Sequence, residues 1–330
     1  MRGFDSGPGV LEEARGRGAV DDACESLAEA VEGADTVFVA TPVAALAAAV
    51  DGALAAAAED CVVSDVGSTK RTIVEAREDP RFVGGHPLAG AETAGVANAR
   101  AELFAGATWY LTPTERTSGI LYERLHRLIA ALGAQPTAID AVAHDRLMAS
   151  VSHLPHVLAN VLVAQAAQAI GEQDERLPAA GPSFRDATRV AGANDAIWTD
   201  IYLSNRDAVI DRIDDLVSRL GDVREALVAA DSAAVSAWNT GAREDRRRLL
   251  ERDLAGGPVH ELRVSVPNRP GIVAQLALEL GRAGINIVDM ALYPAPDMRD
   301  GVIALWVGGD PAAERAQELI SGLGHPVARP

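Results

Sequence analysis

Short apolar runs separated by helical segments fill the first 139 residues of the chain. Runs of this kind are typical of strands that are buried on both faces of a sheet. We predict strands at 35–42, 61–66, 81–84, 109–113 and 135–139. Because strands that alternate with helices favour a doubly wound parallel sheet, residues 1–139 are expected to form an α/β domain.

From residue 140 the apolar positions follow a helical period. A long apolar helix is predicted over 144–170, and Pro155 inside it is expected to remove one backbone hydrogen bond and kink the helix. Further helices are predicted at 207–220, 223–230 and 233–254. Residues 140–256 are therefore expected to form an all-α domain.

A third pattern occupies residues 257–330, after a linker rich in glycine. We predict strands at 259–266, 285–293 and 301–307, helices at 272–283 and 312–321, and a short last strand. The order βαββαβ is typical of ferredoxin-like modules. A length of 330 residues agrees with two or three domains.

Composition excludes several classes of partner. The formal net charge of −17 argues against nucleic acid and against an anionic membrane surface. Cys24 and Cys61 fit no metal or redox spacing, so we expect two thiols in a reducing compartment and no metal site. We find no signal peptide and no unbroken apolar segment long enough to span a bilayer, and we expect a cytoplasmic protein.

The segment Gly84–Glu92 carries the first candidate for chemistry. Two glycines are expected to form a tight turn after the strand at 81–84, and Pro87 fixes the backbone just after His86. This places His86 at the end of the strand, where open α/β sheets bind their ligands. Because histidine exchanges a proton near neutral pH, His86 is a candidate acid–base group. The alternative is a turn with an incidental exposed histidine.

Asp5 is a candidate for cofactor binding. In dinucleotide-binding folds an acidic residue ends the second strand, bonds the ribose 2′-hydroxyl and favours NAD over NADP. A Gly-x-Gly-x-x-Gly turn should precede it by about 20 residues, and the sequence near Met1 contains no such turn. We therefore expect either a sheet without its first βα unit or a true start further upstream. The alternative is that Asp5 is an ordinary loop aspartate.

The helical part contains two further candidate groups. His153 and His156 are three residues apart and share a helix face, with Asp145 two turns earlier, although core histidines with satisfied hydrogen bonds would give the same pattern. Arg185 and Arg189 are four apart, and arginine can grip a carboxylate through two parallel hydrogen bonds. An ordinary surface network of Arg and Asp is the alternative.

Taken together, four ordered motifs resemble the prephenate dehydrogenase family, including its arogenate-using members. The motifs are Asp65–Lys70, Gly84–Glu92, Ser152–His156, and Phe184–Arg189 with Trp198 and Asn205-Arg206, and the resemblance covers residues 1–254. It implies an N-terminally truncated Rossmann-like domain, a helical dimerisation domain and a homodimer. The implied reaction is the NAD-dependent oxidative decarboxylation of prephenate. Residues 259–330 resemble an ACT domain, through Pro267–Ile272 and Gly284–Ile287.

The resemblance also implies residue roles. His86 is similar to the catalytic histidine, and Ser68 to the serine that hydrogen-bonds it and orients the substrate. Arg189 matches the arginine that grips the ring carboxylate, and His156 the histidine near the side-chain end of the substrate. The supporting residues are His153, Asp145, Arg185 and Asp186. The implied cofactor-binding residues are Asp5, Thr41, Pro42, Asp65, Gly67 and Ser68.

Regulation and substrate choice follow from the same resemblance. An ACT domain implies control by an aromatic amino acid, here tyrosine, at Asn268, Arg269, Pro270, Gly271, Ile272 and Asn286. Ala91 stands where many relatives carry a hydroxyl residue. Its neighbour Glu92 could contact an ammonium group, which would favour arogenate over prephenate.

Two other classes of function are open at this point. Because the glycine turn is missing, the chain could be a binding protein that senses an aromatic amino acid without catalysis. A different hydroxyacid-type oxidoreductase with a helical second domain would also fit the sheet, but it leaves the paired histidines and the arginine motif unexplained.

Overall fold

The computed structural model describes residues 1–90, 95–171, 181–251, 259–295 and 299–330. The chain divides into two compact units. The first contains residues 1–144 together with 258–330, and the second contains residues 145–257. The C-terminal module thus belongs to the same unit as the N-terminal α/β part.

The N-terminal part alternates strands and helices, as the apolar pattern predicts. Its elements are β1 (Arg2–Gly3), α1 (Val10–Gly16), β2 (Asp22–Ala23), α2 (Leu27–Val31), β3 (Thr36–Val39), α3 (Val43–Ala56), β4 (Val62–Asp65), α4 (Arg71–Glu75), β5 (Phe82–Pro87), β6 (Thr108–Thr112), α5 (Gly119–Ala131) and β7 (Gln135–Ala138). Strands β1 and β2 pair in parallel as a separate two-stranded sheet.

The main sheet has the order β3-β4-β5-β6-β7. All its pairs are parallel except β5 with β6, where Gly84 lies opposite Thr112 and Pro87 opposite Trp109. The prediction of an all-parallel sheet is therefore wrong at this step. A parallel pair needs a crossover, usually a helix. Within the described part of the connection from β5 to β6 there are only two short 3₁₀ turns, Val96–Asn98 and Ala101–Phe104.

The second unit is helical, as predicted. The helical elements described between residues 141 and 251 are α6 (Ala141–Met148), a π-helical turn (Ala149–His153), α7 (Leu154–Gly171), α8 (Pro182–Thr188), α9 (Asp195–Ser204), α10 (Arg206–Val228) and α11 (Ser232–Glu251). The irregularity expected at Pro155 takes the form of the π-turn, in which the Leu154 amide bonds the Ala149 carbonyl. The predicted break near residue 221 is wrong, because α10 runs through Gly221.

The expectation that no apolar segment is long enough to span a bilayer is wrong, by length and composition alone, for one helical stretch. Residues Ala141–Ala169 are, by length and composition, long and apolar enough to cross a membrane, although only 22% of their most apolar window is buried. The stretch includes the π-turn and three histidines, His144, His153 and His156. A large share of its apolar side chains is therefore available for contact with a partner.

The C-terminal module confirms the predicted βαββαβ order. Its elements are β8 (Val259–Pro267), α12 (Ile272–Arg282), β9 (Ile287–Pro294), β10 (Asp300–Gly308), α13 (Asp310–Gly322) and β11 (Val327–Ala328). The strands form an antiparallel sheet in the order β11-β8-β10-β9. Side chains of α12 and β9 share one hydrophobic core with β6, α5 and β7, including Leu276, Met290 and Leu125. The module is thus packed directly against the N-terminal sheet.

A backbone contact at Gly281 allows this packing. A Cβ at Gly281 would lie 2.0 Å from the carbonyl oxygen of Ala138 at the end of β7. We predict that Gly281→Ala lowers the free energy of unfolding by at least about 2 kcal/mol, because a backbone carbonyl cannot move aside as a side chain can. Chemical denaturation measures this change.

The control is Gly322→Ala in α13 of the same module, where a Cβ would meet no described atom within 4 Å. We expect that change to stay within about 1 kcal/mol of wild type. Equal midpoints for the two variants would show that α12 does not approach β7 this closely.

His126 makes the contact between α5 and the C-terminal module sensitive to pH. It is 1% exposed in α5, and its Nε2 lies 3.2 Å from the carbonyl oxygen of Ile287 in β9. Burial lowers the pKa of His126 from 6.5 to about 4. A lowered histidine pKa means that the unfolded chain binds the proton better. The contribution of neutral, buried His126 to the free energy of unfolding is therefore complete above pH 6.5 and is lost as the pH falls towards 4.

We predict that acidification from about pH 7 to about pH 5 costs wild type about 2 kcal/mol more unfolding free energy than it costs His126→Gln. Glutamine can donate to the Ile287 carbonyl but does not titrate. The measurement is the denaturation midpoint of both proteins at each pH. Parallel pH dependence in the two would contradict a neutral, buried His126.

Candidate active site

His86 lies inside a strand and not after a turn. Strand β5 runs through both glycines to Pro87, so the predicted tight turn at Gly84-Gly85 is wrong. The glycines are needed because their neighbours are too close for a Cβ. At Gly85 a Cβ would lie 2.5 Å from the Asp65 carbonyl oxygen, and at Gly84 it would lie 2.3 Å from Thr112 Oγ1. His86 itself is 9% exposed, opposite Tyr110 in β6.

The buried carboxylate of Asp65, at the end of β4, bonds both a buried lysine and the backbone of β5. Asp65 Oδ2 accepts bonds from Lys70 Nζ and from the Gly67 amide at 2.8 Å, and both charged side chains are fully buried. Asp65 Oδ1 accepts a bond from the Gly85 amide at 3.1 Å. One carboxylate therefore fixes the Gly67–Lys70 loop and the backbone next to His86. The predicted contact of Asp65 with the cofactor stays a prediction, since both of its oxygens accept bonds from the protein.

His86 has a second histidine as its neighbour. His86 Nδ1 lies 2.8 Å from His144 Nε2, with the two rings edge to face at 71°. His144 is fully buried in α6, and the ring of Tyr110 packs against it with centroids 5.6 Å apart. No role for His144 could be predicted from the sequence, because no spacing rule connects residues 86 and 144. The predicted bond between Ser68 and His86 stays a prediction; Ser68 is half-buried in the loop after β4.

The predicted cofactor residues lie mainly at the carboxyl ends of adjacent strands. Thr41 and Pro42 lie between β3 and α3, while Gly67 and Ser68 follow β4. Among the described residues the buried Oγ1 of Thr41 has no hydrogen-bond partner. Asp5 follows β1 and is exposed, with Oδ1 accepting the Gly7 amide at 2.6 Å.

In the helical unit, His153 belongs to a buried polar cluster. Its Nδ1 lies 3.2 Å from Asn205 Nδ2, which also donates to the backbone carbonyl of Asp145 at 2.7 Å. All three residues are at most 3% exposed. Asp145 contributes its backbone to this contact, and the supporting roles of His153 and Asp145 stay predictions.

His156 lies near Arg189. Its ring stacks on Trp198 with centroids 3.4 Å apart and planes at 23°. Burial lowers the pKa of His156, and the nearby positive charge of Arg189 lowers it further. His156 is therefore held towards its neutral form, which offers a hydrogen bond instead of a charge. Arg189, Arg185 and Asp186 are exposed, the latter two on α8 and Arg189 directly after it.

A cavity of about 330 Å³ lies where the C-terminal module meets the N-terminal part. Asn268, Arg269, Pro270 and Ile272 line it, opposite Arg116–Ile120. Its other walls are apolar and include Val266, Leu292 and Val302. Asn286 does not line this cavity, and its Oδ1 accepts a bond from Thr137 at 3.2 Å, so its predicted regulatory role stays a prediction. Glu92 lies outside the described residues.

Comparison with known families assigns the two N-terminal parts of the chain. Residues 1–137 match the nucleotide-binding domain of prephenate dehydrogenase, and residues 140–238 match its dimerization domain. Prephenate dehydrogenase of Bacillus subtilis is 30% identical over 312 residues, which cover 92% of this chain and 84% of the relative. Cyclohexadienyl dehydrogenase of Zymomonas mobilis is 32% identical over 69% of this chain and 80% of its own length.

Solved structures agree with this assignment. Prephenate dehydrogenase from A. aeolicus, in complex with hydroxyphenyl propionate and NAD+, superposes with a TM-score of 0.68 at 28% identity, over 75% of this chain and 88% of that one. Synechocystis arogenate dehydrogenase gives 0.65 at 25% identity, over 75% and 90%. Fold, site and comparisons define an oxidoreductase with a Rossmann-like domain and a helical dimerisation domain. The chain belongs to the prephenate dehydrogenase family, and the prediction of NAD as cofactor is confirmed.

Proposed function

We propose that this protein oxidises prephenate to 4-hydroxyphenylpyruvate in tyrosine biosynthesis, with loss of CO2 and reduction of NAD. The observation that carries the proposal is His86, fixed at the end of β5 by the bond from the Gly85 amide to Asp65. The long match to prephenate dehydrogenase of Bacillus subtilis supports the choice of substrate. The reaction balances, because one prephenate and one NAD+ give one product, one CO2 and one NADH.

The residues supply acid–base and binding chemistry. When bound, NAD supplies a hydride acceptor. His86 accepts the proton of the 4-hydroxyl group as the C4–H bond breaks and returns it to that oxygen as CO2 leaves, and Ser68 orients the hydroxyl. Arg189 binds the ring carboxylate until it leaves as CO2, and a neutral His156 donates a hydrogen bond to the side-chain end. His153, Asp145, Arg185 and Asp186 support these groups.

The described residues fit NAD at the ends of β3 and β4. Among them, the buried Thr41 hydroxyl has no partner and can bond the nucleotide. Pro42, Gly67 and Ser68 lie in the same two loops, and Asp5 offers an exposed carboxylate for the ribose hydroxyls. The negative charge of Asp5 would repel a 2′-phosphate, which favours NAD over NADP.

Steady-state assays with prephenate and with arogenate test the choice of substrate. We expect NADH formation with prephenate to have a kcat/KM at least about tenfold above that with arogenate, a difference of about 1.4 kcal/mol in transition-state binding. The reverse order would make the protein an arogenate dehydrogenase. No turnover of either, with tyrosine still bound, would favour the non-catalytic amino-acid sensor.

We further propose that the C-terminal module is an ACT domain that binds tyrosine as a feedback regulator. The cavity lined by Asn268, Arg269, Pro270 and Ile272 supports this, because it combines apolar walls with a guanidinium suited to a carboxylate. Gly271 adjoins it at φ +82°, where a Cβ would meet the Glu115 carbonyl oxygen at 2.6 Å.

Calorimetry with tyrosine tests the regulatory site. Arg269→Leu should weaken tyrosine binding by about tenfold or more and leave turnover without tyrosine unchanged. Arg263→Leu is the control, since Arg263 is an exposed arginine of β8 that pairs with Glu261 and does not line this cavity. Equal tyrosine affinity of both variants and wild type would place the effector elsewhere.

A cytoplasmic homodimer completes the proposal. The dimerization domain match covers α7, where Val161, Leu162 and Val163 are 53%, 39% and 39% exposed. Exposed apolar stretches of this kind mark interfaces in soluble proteins. Sedimentation velocity should show a dimer, and Val161→Glu should yield monomers; a monomeric wild type would contradict the proposal.

A further inference from the structure

We propose that His144 is a positioning residue that sets the tautomer of His86. The inference rests on the proposed function, in which His86 accepts a proton from the substrate. It starts from the contact of 2.8 Å between His86 Nδ1 and His144 Nε2. Two neutral imidazoles at this distance share one proton, so one nitrogen donates and the other accepts.

The direction of this bond follows from the chemistry of His86. His86 Nδ1 is engaged by His144, so the nitrogen that accepts the substrate proton must be Nε2. Nε2 can accept only when the ring proton is on Nδ1. His86 Nδ1–H therefore donates to His144 Nε2, and the proton of His144 is on its own Nδ1. The second histidine keeps the first one in the tautomer that the reaction needs.

The surroundings of His144 bury it and keep it in place. The carboxylate of Asp140 accepts bonds from the Val142 and Ala143 amides at 3.0 Å, which fixes the start of α6. The Tyr110 ring packs edge-on against His144, which is fully buried. An imidazolium there would lose its hydration. We therefore assign His144 as an acceptor for His86 and not as a relay that carries the proton away.

Two variants separate this role from a structural one. His144→Leu removes the acceptor and keeps an apolar side chain in a buried position, whereas His144→Gln keeps an amide oxygen that can accept. We expect kcat of His144→Leu to fall by about tenfold or more with a much smaller change in KM, and His144→Gln to recover most of the loss. The low-pH limb of kcat should move to lower pH in His144→Leu, because the imidazolium form of His86 loses its acceptor.

Nitrogen NMR of the histidine rings gives a readout that does not need turnover. Wild type should show His86 with the proton on Nδ1, and His144→Leu should show a mixture of the two tautomers. A proton on Nε2 of His86 in wild type, or an unchanged tautomer and unchanged kcat in His144→Leu, would overturn the proposal. If wild type did not oxidise prephenate, the proposed function would fail while the NMR spectra would still decide the tautomer. If His144→Leu did not fold, His144→Gln and the wild-type spectrum would decide.

Discussion

Replacing His86 with asparagine should lower kcat by about 10²- to 10⁴-fold, the usual contribution of a positioned general base. An asparagine amide can accept a hydrogen bond from the 4-hydroxyl group of the substrate but cannot take up its proton. The fold should remain, because Asn can occupy the end of β5 and the bond from the Gly85 amide to Asp65 does not involve this side chain. The measurements are steady-state kinetics and the unfolding midpoint.

His325→Asn is the matched control. His325 follows α13 in the C-terminal module and has no role in the proposed chemistry. Wild-type kinetics are expected for this variant. A His86→Asn enzyme with turnover near that of wild type would remove His86 from the reaction and with it the central step of the proposal.

Replacing Lys70 with methionine should lower the free energy of unfolding by about 3–5 kcal/mol. The change leaves the Asp65 carboxylate buried without its cation, although the Gly67 and Gly85 amides still donate to it. Methionine has a similar length, so the lost charge dominates the effect. The measurement is chemical denaturation.

An ion pair of the same unit whose cation is exposed provides the comparison. Arg127 lies four residues after Glu123 on α5, and its side chain is 62% exposed. Arg127→Met should cost at most about 0.5 kcal/mol. The double variant Asp65→Asn with Lys70→Met should recover part of the loss, since no buried charge remains. Equal effects of Lys70→Met and Arg127→Met would show that the Asp65–Lys70 pair is hydrated.

The elements of this fold could largely be predicted from the apolar pattern, but the strand directions could not. The pattern records which positions are buried, and β6 is buried whether it runs parallel or antiparallel to β5. The deciding feature is the connection before β6, whose described part holds only 3₁₀ turns instead of a crossover helix. The helix break near Gly221 was also predicted wrongly, because the prediction gave too much weight to one glycine. A single glycine costs about 1 kcal/mol in a helix and does not by itself end it.

The residues of the candidate site could also be predicted only in part. Motifs that are local in sequence, such as Gly84–Pro87 or His153 with His156, could be found as patterns. The partners of these residues could not, because they are brought together only by the fold. His144 is 58 positions from His86, and Asn205 is 52 positions from His153. Buried polar clusters of this kind leave no spacing rule in the sequence.

The most direct test of the proposed function uses prephenate that carries deuterium at C4. We expect NADH, CO2 and 4-hydroxyphenylpyruvate in equal amounts, with the deuterium transferred to the NADH. We also expect His86→Asn to nearly abolish the formation of all three. Formation of no NADH from prephenate and NAD, or of NADH without matching 4-hydroxyphenylpyruvate, would contradict it.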